Sequence, residues 1–221
     1  FFSNMKLLLI VLGLASIATC LENGVAITPP MGWNSWNHFA CNVDCDNDPE
    51  NCISEYLIKS IADAMISTGL YQYGYEYINI DDCWPAKQRD AKGRLYADPK
   101  RFPNGMKALV DYVHSKGLKF GIYEDVGPNT CGMYPGSQGN ETTDADTFIE
   151  WGVDYLKLDG CWFPLDLMPA KYSEWSLKLA KSKTPIVYSC SWPTYANVNN
   201  ASVDYNLVGT VCNLWRAWWD I

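Results

Sequence analysis

Histidine is scarce in this chain. Two His among 221 residues, with no paired C-x-x-C spacing, leave no framework for the usual Cys/His zinc sites. No glycine-rich phosphate loop follows the first strand-like run, so the signature of a nucleotide-binding open sheet is missing. Positive charge is in deficit, 17 Lys and Arg against 25 Asp and Glu. The net charge of −8 argues against nucleic acid and anionic membrane as partners. Long apolar runs are confined to "LLLIVLGLASIA" (Leu7–Ala18), which is too short to span a bilayer comfortably, and no later segment is apolar enough. There is no low-complexity tract and no long linker.

What is present begins with that apolar run. Phe1–Asn4 read as leader residues before Met5. Lys6 supplies a positive n-region, Leu7–Ala18 an apolar h-region, and Ala18 and Cys20 the small residues that permit cleavage before Leu21. Residues 1–20 are therefore expected to be a secretory signal and residues 21–221 the folded part. Eight of the nine Cys remain, an even set expected to pair in an oxidising compartment, with about 105 pairings open. Cys45 and Cys52 stand close enough to close a small loop. Asn140 in "NET" and Asn200 in "NAS" are N-glycosylation acceptors. Ten Trp and fourteen Tyr suit either core packing or platforms for sugar rings.

Strand-like runs alternate with helical patterns. "YINID" (Tyr77–Asp81), "LKFGIYED" (Leu118–Asp125), "VDYLKLD" (Val153–Asp159) and "PIVYSCS" (Pro185–Ser191) are short and rich in β-branched and aromatic residues. A weaker first strand is expected around Met31–Asn34 and a sixth around Leu207–Asn213. Between them, "SEYLIKSIADAMISTG" places Leu57, Ile61, Ala64 and Met65 on one helix side. "MKALVDYVHSKG" does the same with Leu109, Val110 and Val113. "DADTFIEWG" and "KYSEWSLKLAKSK" read as two further helices. Such alternation predicts a parallel sheet, either open and doubly wound or closed as a (β/α)8 barrel. Acidic and polar residues at the C-terminal ends of successive strands favour the barrel, whose catalytic face lies there. Only six strands are visible, so the expected domain is an incomplete (β/α)8 barrel, with no second domain in view.

Two strand ends carry the same pattern, Y-x-x-x-D-x-C-W: "YINIDDCW" (Tyr77–Trp84) and "YLKLDGCW" (Tyr155–Trp162). Alternate strand residues share a face, so Lys157 and Asp159 point inward with Tyr155 while Leu156 and Leu158 point to the helices. Ile78 and Ile80 likewise point outward, and Tyr77, Asn79 and Asp81 inward. Lys157 beside Asp159 would hold that carboxylate ionised, as a nucleophile or cation stabiliser needs. One such strand is explained by a structural ion pair and a capping Asp, but two in matching positions are not. A third acid, Asp220 in "CNLWRAWWDI", lies downstream of Arg216 among aromatics. Apolar surroundings would raise its pKa and suit it to general acid work. An ionised and a protonated carboxyl facing each other are the machinery of glycoside hydrolysis.

With these residues the chain resembles the α-galactosidases and α-N-acetylgalactosaminidases of glycoside hydrolase family 27. The resemblance is carried by "PPMGWNSW", "YINIDDCW", "RFPNGMKALVDYVHSKGLKFGIY", "DVGPNTCGMYPGS", "WGVDYLKLDGC", "YSCSWPTY" and "CNLWR", in that order. It implies that Asp159 is the nucleophile and Asp220 the acid/base. Asp81 and Asp82 would grip sugar hydroxyls, with Trp36, Lys157, Tyr195 and Arg216 at further sugar-binding positions. It implies disulfides Cys41–Cys83, Cys45–Cys52, Cys131–Cys161 and Cys190–Cys212, no metal and no cofactor. It also implies a homodimer when full length, a C-terminal β domain outside this chain, and a lysosomal or secreted address. In "CSWPTY", Ser191 matches the position that faces the substituent on sugar carbon 2. Galactosidases resemble one another in a Glu there, whereas Ser leaves room for an acetamido group. Thr194 departs from the Ala of N-acetylgalactosaminidases, a change worth ~1–3 kcal/mol in discrimination. The sequence thus points to terminal α-linked N-acetylgalactosamine as substrate. α-Galactose is one alternative, and an inactive sugar-binding homologue is another.

Overall fold

The computed structural model describes residues 21–220, and the expected secretory signal, residues 1–20, lies outside them. Six parallel strands pair strictly in chain order: β1 (Met31–Asn34), β2 (Tyr75–Asn79), β3 (Lys119–Asp125), β4 (Tyr155–Asp159), β5 (Val187–Cys190) and β6 (Leu214–Trp215). Helices α2 (Glu55–Ser67), α3 (Gly105–Ser115), α4 (Glu141–Trp151) and α5 (Met168–Leu179) make the crossovers between β1 and β5. A short α1 (Trp36–Phe39) follows β1, and α6 (Trp192–Val198) and α7 (Tyr205–Val211) fill the last crossover. The result is an arc of a (β/α)8 barrel, as expected.

The alternation read from the sequence sets the two faces. Ile78, Ile80, Phe120, Ile122, Leu156 and Leu158 are buried in the main core against the helices. Tyr77, Tyr155 and Val187 form a separate cluster on the other face, with Tyr77 and Tyr155 edge to face at 5.9 Å. Gly121 is required there, because a Cβ on it would sit 1.9 Å from Asn79 Oδ1. The N-terminal segment seals this inner cluster: Val25 and Ala26 pack on it, and Asn23 is tied to Ile186 O (3.1 Å) and by Asn213 Nδ2 (2.8 Å).

On α2, Ser54 caps the helix by accepting from the Leu57 N–H at 3.2 Å. Its buried side is Leu57, Ile58, Ala62 and Met65. Ala64, expected among them, is exposed, because at 100° per residue it falls outside the stripe that Ile58 and Ala62 complete. On α3, Leu109, Val110 and Val113 are fully buried as expected. The expected sixth strand over Leu207–Asn213 is instead mostly α7. Asp204 accepts from the N–H groups of Asn206 and Leu207 and so starts a helix, and the strand comes later, at Leu214–Trp215. A capping signal outweighed a short apolar run.

Between β3 and the helices lies an unusual carboxyl. Glu124 is fully buried on the outward face of β3, and neither of its oxygens has a hydrogen-bond partner among the described residues. Nearby, Arg89 is bidentate to buried Asp144, with two contacts of 2.6 Å. Burial pushes the Glu124 pKa well above 4.5 and the Asp144 charge adds to this, while Arg89 opposes it. Below about pH 4 this group is neutral in both folded and unfolded chains. As pH rises, the unfolded chain releases the proton and the folded chain retains it, so stability falls. Asp125 acts in the same sense. Its pKa is raised from 3.8 to about 8, chiefly by burial and then by the charge of Asp159. The unfolding midpoint is expected to drop between pH 5 and pH 8. In Glu124→Gln the drop should be shallower, which scanning calorimetry at both pH values checks; an unchanged slope would discard this account of Glu124.

Candidate active site

The acids gather at the C-terminal ends of β2, β3 and β4. Asp159 closes β4 and is 5 % exposed. Its Oδ1 accepts from the Tyr195 hydroxyl (2.6 Å), its own neighbour Gly160 N–H (3.0 Å) and Arg216 Nη2 (3.4 Å). Its Oδ2 accepts from the Tyr123 hydroxyl (3.2 Å). Gly160 has to be glycine: a Cβ would meet the Tyr195 ring at 3.0 Å, so the missing side chain is what lets that ring reach the carboxylate.

Lys157 does not pair with Asp159 as the sequence suggested. Residues two apart on a strand share a face but stand ~6–7 Å apart along it. The ammonium instead passes over the Tyr123 ring (5.1 Å) and bonds Asp81 Oδ2 at 2.8 Å. Asn34 Nδ2 also donates to that oxygen, at 3.1 Å. Burial alone would lower the Lys157 pKa. The charges of Asp81 and Asp159 outweigh it and hold the pKa above the ordinary value. The direct cation at Asp159 is Arg216.

Arg216 also reaches Asp220, Nη1 to Oδ1 at 2.6 Å, so one guanidinium touches both acids that the sequence singled out. The expected apolar enclosure of Asp220 is not there. Its side chain is 47 % exposed, and Trp218 and Trp219 beside it are exposed too, because residues 216–220 run on past β6 as irregular backbone.

The remaining expected residues fall around this centre with distinct attachments. Trp36, half-buried, opens α1 with its N–H on Asn34 Oδ1 (2.8 Å). Asp82 is 1 % exposed, and both its oxygens are taken by backbone N–H groups, of Cys83 and Gly132, each at 2.6 Å. Ser191 is buried at the entry to α6, its N–H on Leu158 O (3.0 Å). Thr194 is also buried, its hydroxyl against Arg216 O (2.9 Å) and Trp218 O (3.0 Å).

Disulfides lash these ends together. Cys41–Cys83, Cys45–Cys52, Cys131–Cys161 and Cys190–Cys212 are the pairs the resemblance implied. Gly132 packs so closely on the first that a Cβ would lie 2.5 Å from Cys83 Sγ. Two groupings among the described residues bring acids and cysteines near one another, Cys41/Asp82/Cys83 and Asp125/Cys131/Cys161. In both the sulfurs are already bonded to each other, so neither offers a thiolate to a metal.

Sequence reasoning passed over Asp125 and Tyr123. Asp125 sits across from Asp159 in the β3–β4 register and accepts from the Gly127 (2.7 Å) and Cys161 (2.9 Å) N–H groups. It ends its strand on an acid as Asp159 does, but Val-Gly follows it instead of the x-Cys-Trp that drew attention elsewhere. Trp162 was also unassigned. Its backbone is left-handed (φ 61°), and its indole N–H donates to Thr130 O (3.2 Å), which holds a largely exposed ring beside the site. Cys83 and Met133 at the same rim share that backbone region, a concentration of strain common where sites are built.

Comparison with known proteins extends this picture. The alpha galactosidase A family model matches residues 28–221. The alpha-N-acetylgalactosaminidase of Gallus gallus is 54 % identical over 202 residues, covering 91 % of this chain and 50 % of that protein. Human alpha-galactosidase A is 50 % identical over 205 residues, 92 % of this chain and 48 % of that one. Alpha-galactosidase I from Mortierella vinacea superposes with a TM-score of 0.76 at 41 % identity, over 88 % of this chain and 46 % of the other. The chain spans about half the length of the curated relatives it matches. Its strand-end acids, their disulfide ties and the family match over nearly all described residues agree, and the chain belongs to the alpha galactosidase A family, glycoside hydrolase family 27.

Proposed function

We propose that the full-length protein is a retaining exo-glycosidase that removes terminal α-linked N-acetylgalactosamine from glycoconjugates. The observation that carries this reading is the single guanidinium of Arg216 touching both Asp159 and Asp220. Asp159, oriented by two tyrosine hydroxyls, attacks the anomeric carbon as Asp220 gives a proton to the leaving oxygen. Asp220 then takes a proton from water, which displaces the sugar from Asp159. The reading requires the two carboxyl groups to approach to about 5–5.5 Å in the substrate complex. Asp81 and Asp82 hold sugar hydroxyls through the lone pairs that remain after Lys157, Asn34 and the Asp82 N–H have bonded the first and the Cys83 and Gly132 N–H groups the second. No metal or cofactor takes part.

Preference for the acetamido sugar is supported by small, buried Ser191, at the position that the family resemblance sets against sugar carbon 2, and by relatives named alpha-N-acetylgalactosaminidase. The alternative, α-galactose, is supported by relatives named alpha-galactosidase. Turnover of p-nitrophenyl α-N-acetylgalactosaminide and p-nitrophenyl α-galactoside by the full-length protein separates them. We expect kcat/KM to favour the first by about 10-fold or more, in line with ~1–3 kcal/mol of pocket discrimination; a reversed ratio gives the galactosidase. Binding of either sugar without hydrolysis gives a sugar-binding homologue. The reading includes passage through the secretory pathway to a lysosomal or secreted destination, glycans on Asn140 and Asn200, and a homodimer. Asn200 is exposed and Asn140 half-buried at the surface entry to α4, as acceptors must be reachable.

A further inference from the structure

Beyond β6 the backbone that carries Arg216 and leads to Asp220 has no ladder of its own. Its last sheet bond is Arg216 N–H to Cys190 O at 3.0 Å. The next three carbonyls are all met by side chains of α6. Thr194 Oγ1 lies 2.9 Å from Arg216 O and 3.0 Å from Trp218 O, and Asn197 Nδ2 donates to Ala217 O at 2.8 Å. Thr194 and Asn197 are three apart and so share a helix face. Tyr195, the first of the two residues between them, sends its hydroxyl to Asp159 at 2.6 Å. One short helix therefore holds the loop of one acid and the side chain of the other.

The geometry points to Thr194 and Asn197 as positioning residues that set Arg216 and Asp220 against Asp159. The Thr194 hydroxyl proton is committed to the backbone. A hydroxyl has one proton and here has two carbonyls competing for it, so it has no hydrogen left to donate to a substituent on sugar carbon 2. Carbonyls are acceptors only, and a side chain that cannot donate leaves them unpaired and the loop free to drift. This assignment rests on the reading of Asp159 as nucleophile and Asp220 as acid/base.

The test uses the full-length protein and two α-N-acetylgalactosaminides, one with a 2,4-dinitrophenyl leaving group and one with an alkyl alcohol. Thr194→Val keeps the shape and removes the donor. It should lower kcat/KM for the alkyl glycoside by about 10²-fold, the size of a misplacement of order 1 Å. It should leave kcat/KM for the dinitrophenyl glycoside, whose departure needs little proton donation, within a few-fold, while kcat and KM for that substrate fall together as the base-assisted second step becomes limiting. Thr194→Ser, which keeps the hydroxyl, should restore most of the loss. Asn197→Ala, at a half-exposed site, should show the same leaving-group dependence more weakly and covers the case that Thr194→Val does not fold. Equal losses in kcat/KM on both leaving groups, or a KM effect confined to the acetamido sugar while the galactoside is untouched, would overturn the positioning role. Asp220→Ala is the control. If it too lacks leaving-group dependence, the acid/base reading has failed; if it shows that dependence and neither α6 variant does, only the positioning role has failed.

Discussion

Asp159→Asn in the full-length protein is expected to lower kcat by roughly 10⁴-fold or more, with the unfolding midpoint within a few degrees of the parent. The substitution keeps the shape of a side chain that is 5 % exposed and leaves an acceptor oxygen for the Tyr195 hydroxyl, while the amide nitrogen faces the Tyr123 hydroxyl, which can turn to accept from it. What goes is the negative oxygen able to bond to a sugar. Steady-state turnover and a melting curve on the same preparation check both halves. A mechanism-based fluorosugar should label Asp159 in the parent and nothing in the variant. Turnover surviving near the parent rate would remove Asp159 from the mechanism.

Lys157→Met should be the most costly single change to stability near the site. It leaves Asp81, 2 % exposed, without the ammonium now 2.8 Å away, and stranding one member of a buried ion pair costs about 3–5 kcal/mol. For a chain of this size that corresponds to a midpoint lower by on the order of 10 °C. Asp81→Asn combined with Lys157→Met removes the stranded charge as well, so the double variant should recover part of the loss. A double-mutant cycle of unfolding free energies reads this directly, and strict additivity of the two single changes would show that the contact contributes nothing.

Much of the arrangement was legible because strands buried on both faces write their orientation in alternate letters. "YLKLD" declares two leucines for the helices and a Lys and an Asp for the interior, and both go there. What the alternation does not encode is which inward group meets which. Lys157 and Asp159 are neighbours in the letters, yet the ammonium reaches across β3 to Asp81. Curvature of the sheet turns the inward side chains of alternate strands toward one another, and the long Lys157 side chain spans the gap over Tyr123. Asp125 was missed for a related reason, since its importance comes from register with Asp159 and not from its own flanking residues. Around Leu207–Asn213, apolar content suggested extended chain, and the local capping at Asp204 made a helix. Asp220 was found by its place after Arg216, but its expected apolar surroundings required tertiary contacts that adjacent tryptophans alone do not create.

The cystine Cys131–Cys161 leans against the Tyr195 hydroxyl, with Cys161 Sγ 3.3 Å from the oxygen that steadies Asp159. Under the proposed function, closure of this bond and the aim of Asp159 would therefore be linked. A copy retained in the cytosol, or treated with dithiothreitol and alkylated, would keep every acid and lose the backing that aims them. On that reading a thiol-rich surrounding would by itself leave the nucleophile's tyrosine without its sulfur backing.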